Sequence, residues 1–174
     1  MHKVYLLLGS NLGNSLEHIN TAVEEISIHI GKVTKKSSLY KSEPWGFDAE
    51  NYFLNQVIEI ETNLAPELLL HSILEIENNL GRKRTAGNYE SRTIDIDILF
   101  YDNLIIKTSN LSIPHPLIPI RRFTLIPLNE IASFYMHPET QLSIKETLNQ
   151  CKDISEVIKH NTETKINGKI SQNK

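Results

Sequence analysis

Arg92-Thr93-Ile94-Asp95-Ile96-Asp97-Ile98-Leu99-Phe100 alternates polar and apolar side chains with a period of two. That is the period of a β-strand. Ile94, Ile96 and Ile98 are expected on one face. Asp95 and Asp97 take the other, their Cα atoms roughly 6.5–7 Å apart by strand rise. Two like charges this close need a cation or solvent. Hard divalent cations such as Mg²⁺ prefer carboxylate oxygens and usually share their shell with substrate phosphates. A half-exposed strand with a solvated polar face explains the same run, so the run alone leaves both readings open.

The preceding segment favours the first reading. Gly81 to Arg92 carries Arg82, Lys83, Arg84 and Arg92 against only Glu90, a net of +3 in a chain of net −3, so the other residues sum to −6. Guanidinium forks match phosphate oxygens. Carboxylates for a metal beside cations for phosphate is what a Mg²⁺–triphosphate requires. A solvated basic loop is the alternative.

Working outward, 174 residues predict one domain, large enough to bury roughly 70% of its unfolded surface. A hydrophobic content of 40% and a charged content of 22% suit a soluble globular protein. The net charge argues against general nucleic-acid binding. The single cysteine, Cys151, excludes an intrachain disulfide and a thiolate zinc cluster, and fits a cytoplasmic location. The apolar run Val4 to Leu8 is too short for a secretion signal or membrane span.

That run reads instead as a buried strand. It ends at Gly9-Ser10-Asn11-Leu12-Gly13, which is neither a Walker A loop nor a dinucleotide fingerprint and reads as a plain turn. Asn14 with Glu17 suggests a capping box. Leu16, Ile19, Val23, Ile26 and Ile30 repeat at helical spacing, with Gly31 as the expected stop. Val33 to Lys41 reads as one polar strand. Ser42 to Asn51 is a long loop containing the only tryptophan, Trp45, which either stacks on a flat ligand or pins the loop. Tyr52 to Thr62 reads as a strand with Phe53 and Asn55 on one face, a ring beside a paired donor and acceptor.

Pro66 opens a helix marked by Leu69, Ile73, Ile76 and Leu80 and closed by Gly81. Glu77 lies one turn before its end, near the basic segment. After the aspartate strand, Asp102-Asn103 is expected to make a two-residue hairpin into Leu104-Ile105-Ile106. The order β-α-β-β-α-β is the ferredoxin-like arrangement. His115 follows between Pro114 and Pro116 in a restricted backbone, and Arg121-Arg122 adds a second basic point. Leu125 to Ala132 and Ile144 to Leu148 supply helical segments. Residues 1–150 are expected to be the domain, and 151–174 a loosely attached polar tail.

These motifs together resemble the 6-hydroxymethyl-7,8-dihydropterin pyrophosphokinases of folate biosynthesis, over about residues 3–150. The matching parts are Gly9 to Gly13, Glu43-Pro44-Trp45-Gly46, Phe53-Leu54-Asn55, Glu77, Gly81 to Arg84, Arg92 to Asp97, Pro114-His115-Pro116, and Arg121 with Phe123 before Pro127 to Ala132. The resemblance implies an α+β ferredoxin-like fold with helices on an antiparallel sheet. It implies transfer of the β,γ-diphosphate of ATP to the pterin hydroxymethyl oxygen, leaving AMP. Asp95 and Asp97 would hold two Mg²⁺ ions and, with Arg82 and Arg92, form the catalytic set. Glu77, Arg84, Ile98, His115 and Arg121 would serve the nucleotide. Ser42, Pro44, Trp45, Gly46, Phe53, Asn55 and Phe123 would hold the pterin.

The sequence departs from the family at Asn88-Tyr89, where some members carry Arg-Trp, and at Leu117, where an arginine is common and Arg122 is expected to compensate. Gly87 suits a basic loop that closes over ATP. A monofunctional, monomeric enzyme without nucleic-acid or membrane partners is expected. A metal-dependent nucleotidyltransferase or phosphohydrolase is the enzymatic alternative. A ferredoxin-like binding module is the other, although the sequence lacks the aromatics and basic face of an RNA-binding sheet.

Overall fold

The computed structural model describes residues 1–46, 51–82 and 92–161. The elements are β1 (His2–Ser10), α1 (Ser15–His29), β2 (Gly31–Lys36), β3 (Tyr40–Ser42), β4 (Phe53–Thr62), α2 (Pro66–Asn79), β5 (Asp95–Tyr101), β6 (Ile106–Lys107), β7 (Ser112–Ile113), α3 (Arg122–Ala132), α4 (Ile144–Gln150) and β8 (Val157–Lys159). The main sheet runs β5-β1-β4-β3-β8, and β2 also pairs with β4. Its pairs are antiparallel. The expected β-α-β-β-α-β core is present. Among the described residues no helix is long and apolar enough to cross a membrane.

Both faces of the sheet are covered, which is why β1 reads as a continuous apolar run. Val4, Leu6 and Leu8 pack with Ile19, Val23 and Ile26 of α1 and with Leu69, Ile73 and Ile76 of α2. Tyr5 and Leu7 point the other way, toward Leu125 and Leu128 of α3 and Ile144 of α4. A β-bulge at Leu99 lets Tyr5 pair with Phe100 and Leu6 with Ile98. Leu99 and Phe100 therefore both enter the second core, while Tyr101 returns to the first.

Several local expectations change. Val33 to Lys41 is two strands, because Ser37 interrupts the ladder: its Oγ accepts from the Val57 N–H at 3.0 Å. At the start of α1, Asn14 Oδ1 accepts from the Glu17 N–H at 3.3 Å, but Glu17 returns its bond to the Asn14 side chain, so the capping box is incomplete. Asp102-Asn103 turns the chain without making a hairpin onto β5; β6 pairs with β7 in a separate sheet. The stretch after 150 is partly built in. Asp153 Oδ2 accepts from the Arg122 N–H at 2.9 Å, and β8 adds an edge strand to β3.

Gly31 is not a left-handed helix stop. It opens β2, where a Cβ would lie 2.2 Å from the Glu61 carbonyl oxygen. The clash is with backbone, so no side chain can yield. Gly31→Ala is expected to cost about 1–3 kcal/mol, seen as a melting midpoint several degrees lower. An unchanged midpoint would mean that β2 and β4 do not approach this closely.

One contact ties the elements around the site. Glu130 of α3 accepts from the Ser38 N–H (2.9 Å), the Ser38 hydroxyl (2.8 Å) and the Tyr40 hydroxyl (2.9 Å). The helix that begins just after Arg121 is thereby clamped to the strand that ends at Ser42.

Candidate active site

Strand register builds the floor. Gly9 of β1 pairs with Asp95 on one side and with Asn55 on the other. The next row is Asp97, Leu7 and Val57. At this end of the sheet the face toward α3 carries polar groups instead of core. A Cβ on Gly9 would lie 3.3 Å from Asn55 Oδ1, so the glycine leaves room for the amide.

Two clefts meet on this floor. The first lies over Gly9 and Asn55 and is walled by Ser42, Trp45, Phe53 and Phe123. Asn55 is buried, and its Nδ2 donates to Ser42 Oγ at 2.9 Å. That fixes the amide orientation, assigned here from the hydrogen bond. The Trp45 and Phe123 rings lie 6.5 Å apart, and the Arg121 guanidinium sits 4.8 Å from the Trp45 ring centre. Trp45 thus both lines the cleft and holds its loop against α3. Apolar rings around a buried amide make a slot for a flat heteroaromatic molecule.

The second cleft wraps the outer edge of β5. It is lined by Glu77, Arg82, Ile98, His115 and Leu117, with Leu111 and Ser112 from the β6–β7 hairpin. Arg92, Asp95, Asp97 and Arg121 line both clefts. Two carboxylates and two guanidinium groups therefore occupy the junction.

The junction is tightly paired. Arg82 Nη1 lies 2.6 Å from Asp95 Oδ1 and also bonds Glu77. Arg92 bonds Asp95 from the other side. Glu77 is buried and accepts from the Ile96 N–H at 2.8 Å, which locks α2 to β5. Burial and the nearby Arg82 push Arg92 down from its ordinary value, with Asp97 and Glu77 opposing. A guanidinium stays charged in a protein, so the shift expresses first the cost of burying that charge and then its crowding by Arg82 and Arg121, which an anionic ligand would relieve.

His115 Nε2 is 3.9 Å from Asp97 Oδ2, and the Leu117 N–H donates to His115 Nδ1 at 3.2 Å. The hydrogen is therefore placed on Nε2, facing Asp97. Burial lowers the imidazole below its ordinary value of 6.5; Asp97 opposes this and Arg121 adds to it. The ring is neutral near pH 7 and offers a donor without a charge.

The family profile described as 7,8-dihydro-6-hydroxymethylpterin-pyrophosphokinase (HPPK) matches residues 5–133. The chain belongs to that family. It is 39% identical over 146 residues to the 2-amino-4-hydroxy-6-hydroxymethyldihydropteridine pyrophosphokinase of Aquifex aeolicus, covering 84% of this chain and 90% of that one. With the protein of the same name from Haemophilus influenzae it shares 40% identity, covering 88% and 95%. It is 45% identical to part of the folic acid synthesis protein fol1 of Pneumocystis carinii, covering 81% of this chain but 19% of that protein. Its fold resembles that of wild-type Plasmodium falciparum HPPK-DHPS with SDX-DHP, with a TM-score of 0.71 and 19% identity over 86% of this chain and 43% of that one.

In this pyrophosphokinase-family chain, most site residues expected from sequence converge on the two clefts. Pro44 and Gly46 do not line the first; Gly46 has φ +80° and turns the loop instead. Arg84, Gly87, Asn88 and Tyr89 lie outside the described residues. Arg122 is not among the described lining residues of either cleft. Sequence reasoning missed Leu7 and gave no site role to Gly9 and Glu43, which it had only as parts of matching motifs; all three line the first cleft. It likewise gave none to Asn11, whose Oδ1 accepts from the Arg92 N–H at 2.7 Å. The supposed plain turn is part of the site. No spacing rule exposes Gly9, because its role comes from the two strands beside it.

Proposed function

We propose that this chain transfers the β,γ-diphosphate of ATP to the hydroxymethyl oxygen of 6-hydroxymethyl-7,8-dihydropterin, a step of folate biosynthesis. The supporting observation is the shared junction. The first cleft suits the flat pterin and the second suits ATP. Their common wall is Arg92, Asp95, Asp97 and Arg121. A hydroxyl presented from one side then meets a phosphate presented from the other.

The chemistry is a single displacement. The pterin oxygen forms a bond to the β-phosphorus while the bond from that phosphorus to the α,β-bridging oxygen breaks. AMP leaves with the bridging oxygen, and the hydroxyl proton passes to solvent. Such transfers depend mainly on positioning and charge stabilisation. Phe53, Phe123 and Trp45 grip the ring, and Asn55 reads its polar edge. Ile98 packs at the nucleotide. Arg82, Arg92 and Arg121 neutralise the migrating phosphate oxygens, Arg84 adds a further cation, and His115 donates from Nε2. Ser42 orients Asn55, and Glu77 orients Arg82.

Among the described residues no group of three or more metal-binding side chains gathers. Mg²⁺ does not need one, since it commonly binds through one or two carboxylates plus substrate phosphates. The residues fit: Asp95 and Asp97 offer hard oxygens at the junction, and Asp95 already attracts two guanidinium groups. Two Mg²⁺ ions held there would clamp the phosphates and acidify the hydroxyl. Both clefts come from one chain, and the lone cysteine suits a reducing compartment. The proposal therefore includes a monomeric, cytoplasmic enzyme.

An end-point assay with ATP, Mg²⁺ and the hydroxymethyldihydropterin tests this reading. AMP and pterin diphosphate are expected one for one. ADP, free phosphate or pyrophosphate as the nucleotide-derived product would overturn it.

A further inference from the structure

Asn11 follows β1 directly and is 3% exposed. Its Oδ1 accepts from the Arg92 N–H at 2.7 Å. The N–H groups of Asn11 and Leu12 donate to the Arg92 carbonyl at 3.1 and 3.3 Å. Both backbone polar groups of Arg92 are thus held by a turn that belongs to the sheet. Regular structure resumes only at Asp95, so no strand ladder holds Arg92. Yet its side chain stands at the junction and lines both clefts.

We infer that Asn11 is a positioning residue for the transfer: it anchors the Arg92 backbone so that the guanidinium reaches the phosphate being moved. The inference rests on the diphosphate-transfer reading. The residue suits the task because its side chain brings an acceptor to the Arg92 N–H while its backbone N–H serves the Arg92 carbonyl. Alanine keeps the second and loses the first. Aspartate keeps an acceptor in the same place. A purely structural turn residue would weaken folding and every ligand equally. A positioning residue weakens the step that uses Arg92.

The test compares wild type, Asn11→Ala, Asn11→Asp, Arg92→Ala and the double variant Asn11→Ala/Arg92→Ala. Turnover, KM for each substrate and melting temperature are measured for all five. Asn11→Ala is expected to lower kcat about 10–100-fold, the usual cost of losing a supporting partner. The KM values should stay within about threefold, because the effect belongs to the transition state. Asn11→Asp should recover most of the loss. On the Arg92→Ala background, Asn11→Ala should cost little more, about twofold or less, since residues acting as a unit are non-additive. Exchange of the Arg92 amide hydrogen should quicken in Asn11→Ala.

Equal losses on both backgrounds would overturn the proposal. So would unchanged turnover in Asn11→Ala, or wild-type turnover in Arg92→Ala. Failure of the underlying reading looks different: wild type itself then yields no AMP, and unchanged Arg92 amide exchange would still reject the anchor without any need for turnover.

Discussion

Asp97→Ala is expected to lower AMP formation about 10³-fold, the scale set by losing a preorganised electrostatic contact at a reacting centre. The reason is its position. Asp97 and Asp95 are the two carboxylates that face both clefts. Asp95 is already engaged by Arg82 and Arg92, whereas the described partner of Asp97 is the more distant His115. Removing Asp97 halves the acidic oxygen set and leaves the arginines facing a less compensated charge. The side chain is 32% exposed, so folding should survive, and the melting curve checks that. Asp97→Asn should fail nearly as badly, because it keeps the shape and loses the charge. The Mg²⁺ concentration for half-maximal rate should rise in both variants. A loss below about tenfold would remove Asp97 from the metal-holding role.

The second large effect falls on the other substrate. Asn55→Ala is expected to weaken pterin binding about 100-fold, since each buried hydrogen bond left unmade costs about 1–3 kcal/mol. Asn55 is 2% exposed and is oriented by Ser42. Its neighbour on β1 is Gly9, which has no side chain to take over from the amide, and on β3 it is Tyr40, whose hydroxyl donates to Glu130. ATP affinity should not change, as Asn55 lines the first cleft and not the second. Titration calorimetry with each ligand separately distinguishes the cases. Parallel loss of both ligands would indicate a collapsed site, and a pterin affinity within about threefold would end the assignment.

The core of this fold was legible because its elements obey clean periods. The alternation through Asp97 and the helical spacing of α1 and α2 each report a buried face directly. The aspartate pair stood out for the same reason, as charge placed in the phase of a strand. What stayed hidden depends on partners distant in sequence. Gly9 matters through Asp95 and Asn55, and Asn11 through Arg92. Gly31 looked like a helix stop but serves a close approach to Glu61. The short strand β8 has no apolar period of its own and exists because β3 offers an edge. Pro44 and Gly46 sit within a motif that shapes a loop, so adjacency to Trp45 did not make them cleft walls.

The bulge at Leu99 bears on which length changes β5 tolerates. Losing one residue from a regular strand rotates everything beyond it to the wrong face. Here the surplus residue lies between the aspartates and Tyr101. A chain lacking Leu99 would keep Asp95 and Asp97 toward the clefts, Phe100 toward α3 and Tyr101 toward the opposite core, and would lose the packing of one leucine and the carbonyl that accepts from the His115 N–H at 3.0 Å. The same deletion between Asp95 and Asp97 would put the two carboxylates on opposite faces. Within seven residues, the strand thus holds one position whose loss leaves both faces in place and another, Ile96, whose loss would separate the two carboxylates proposed to hold metal.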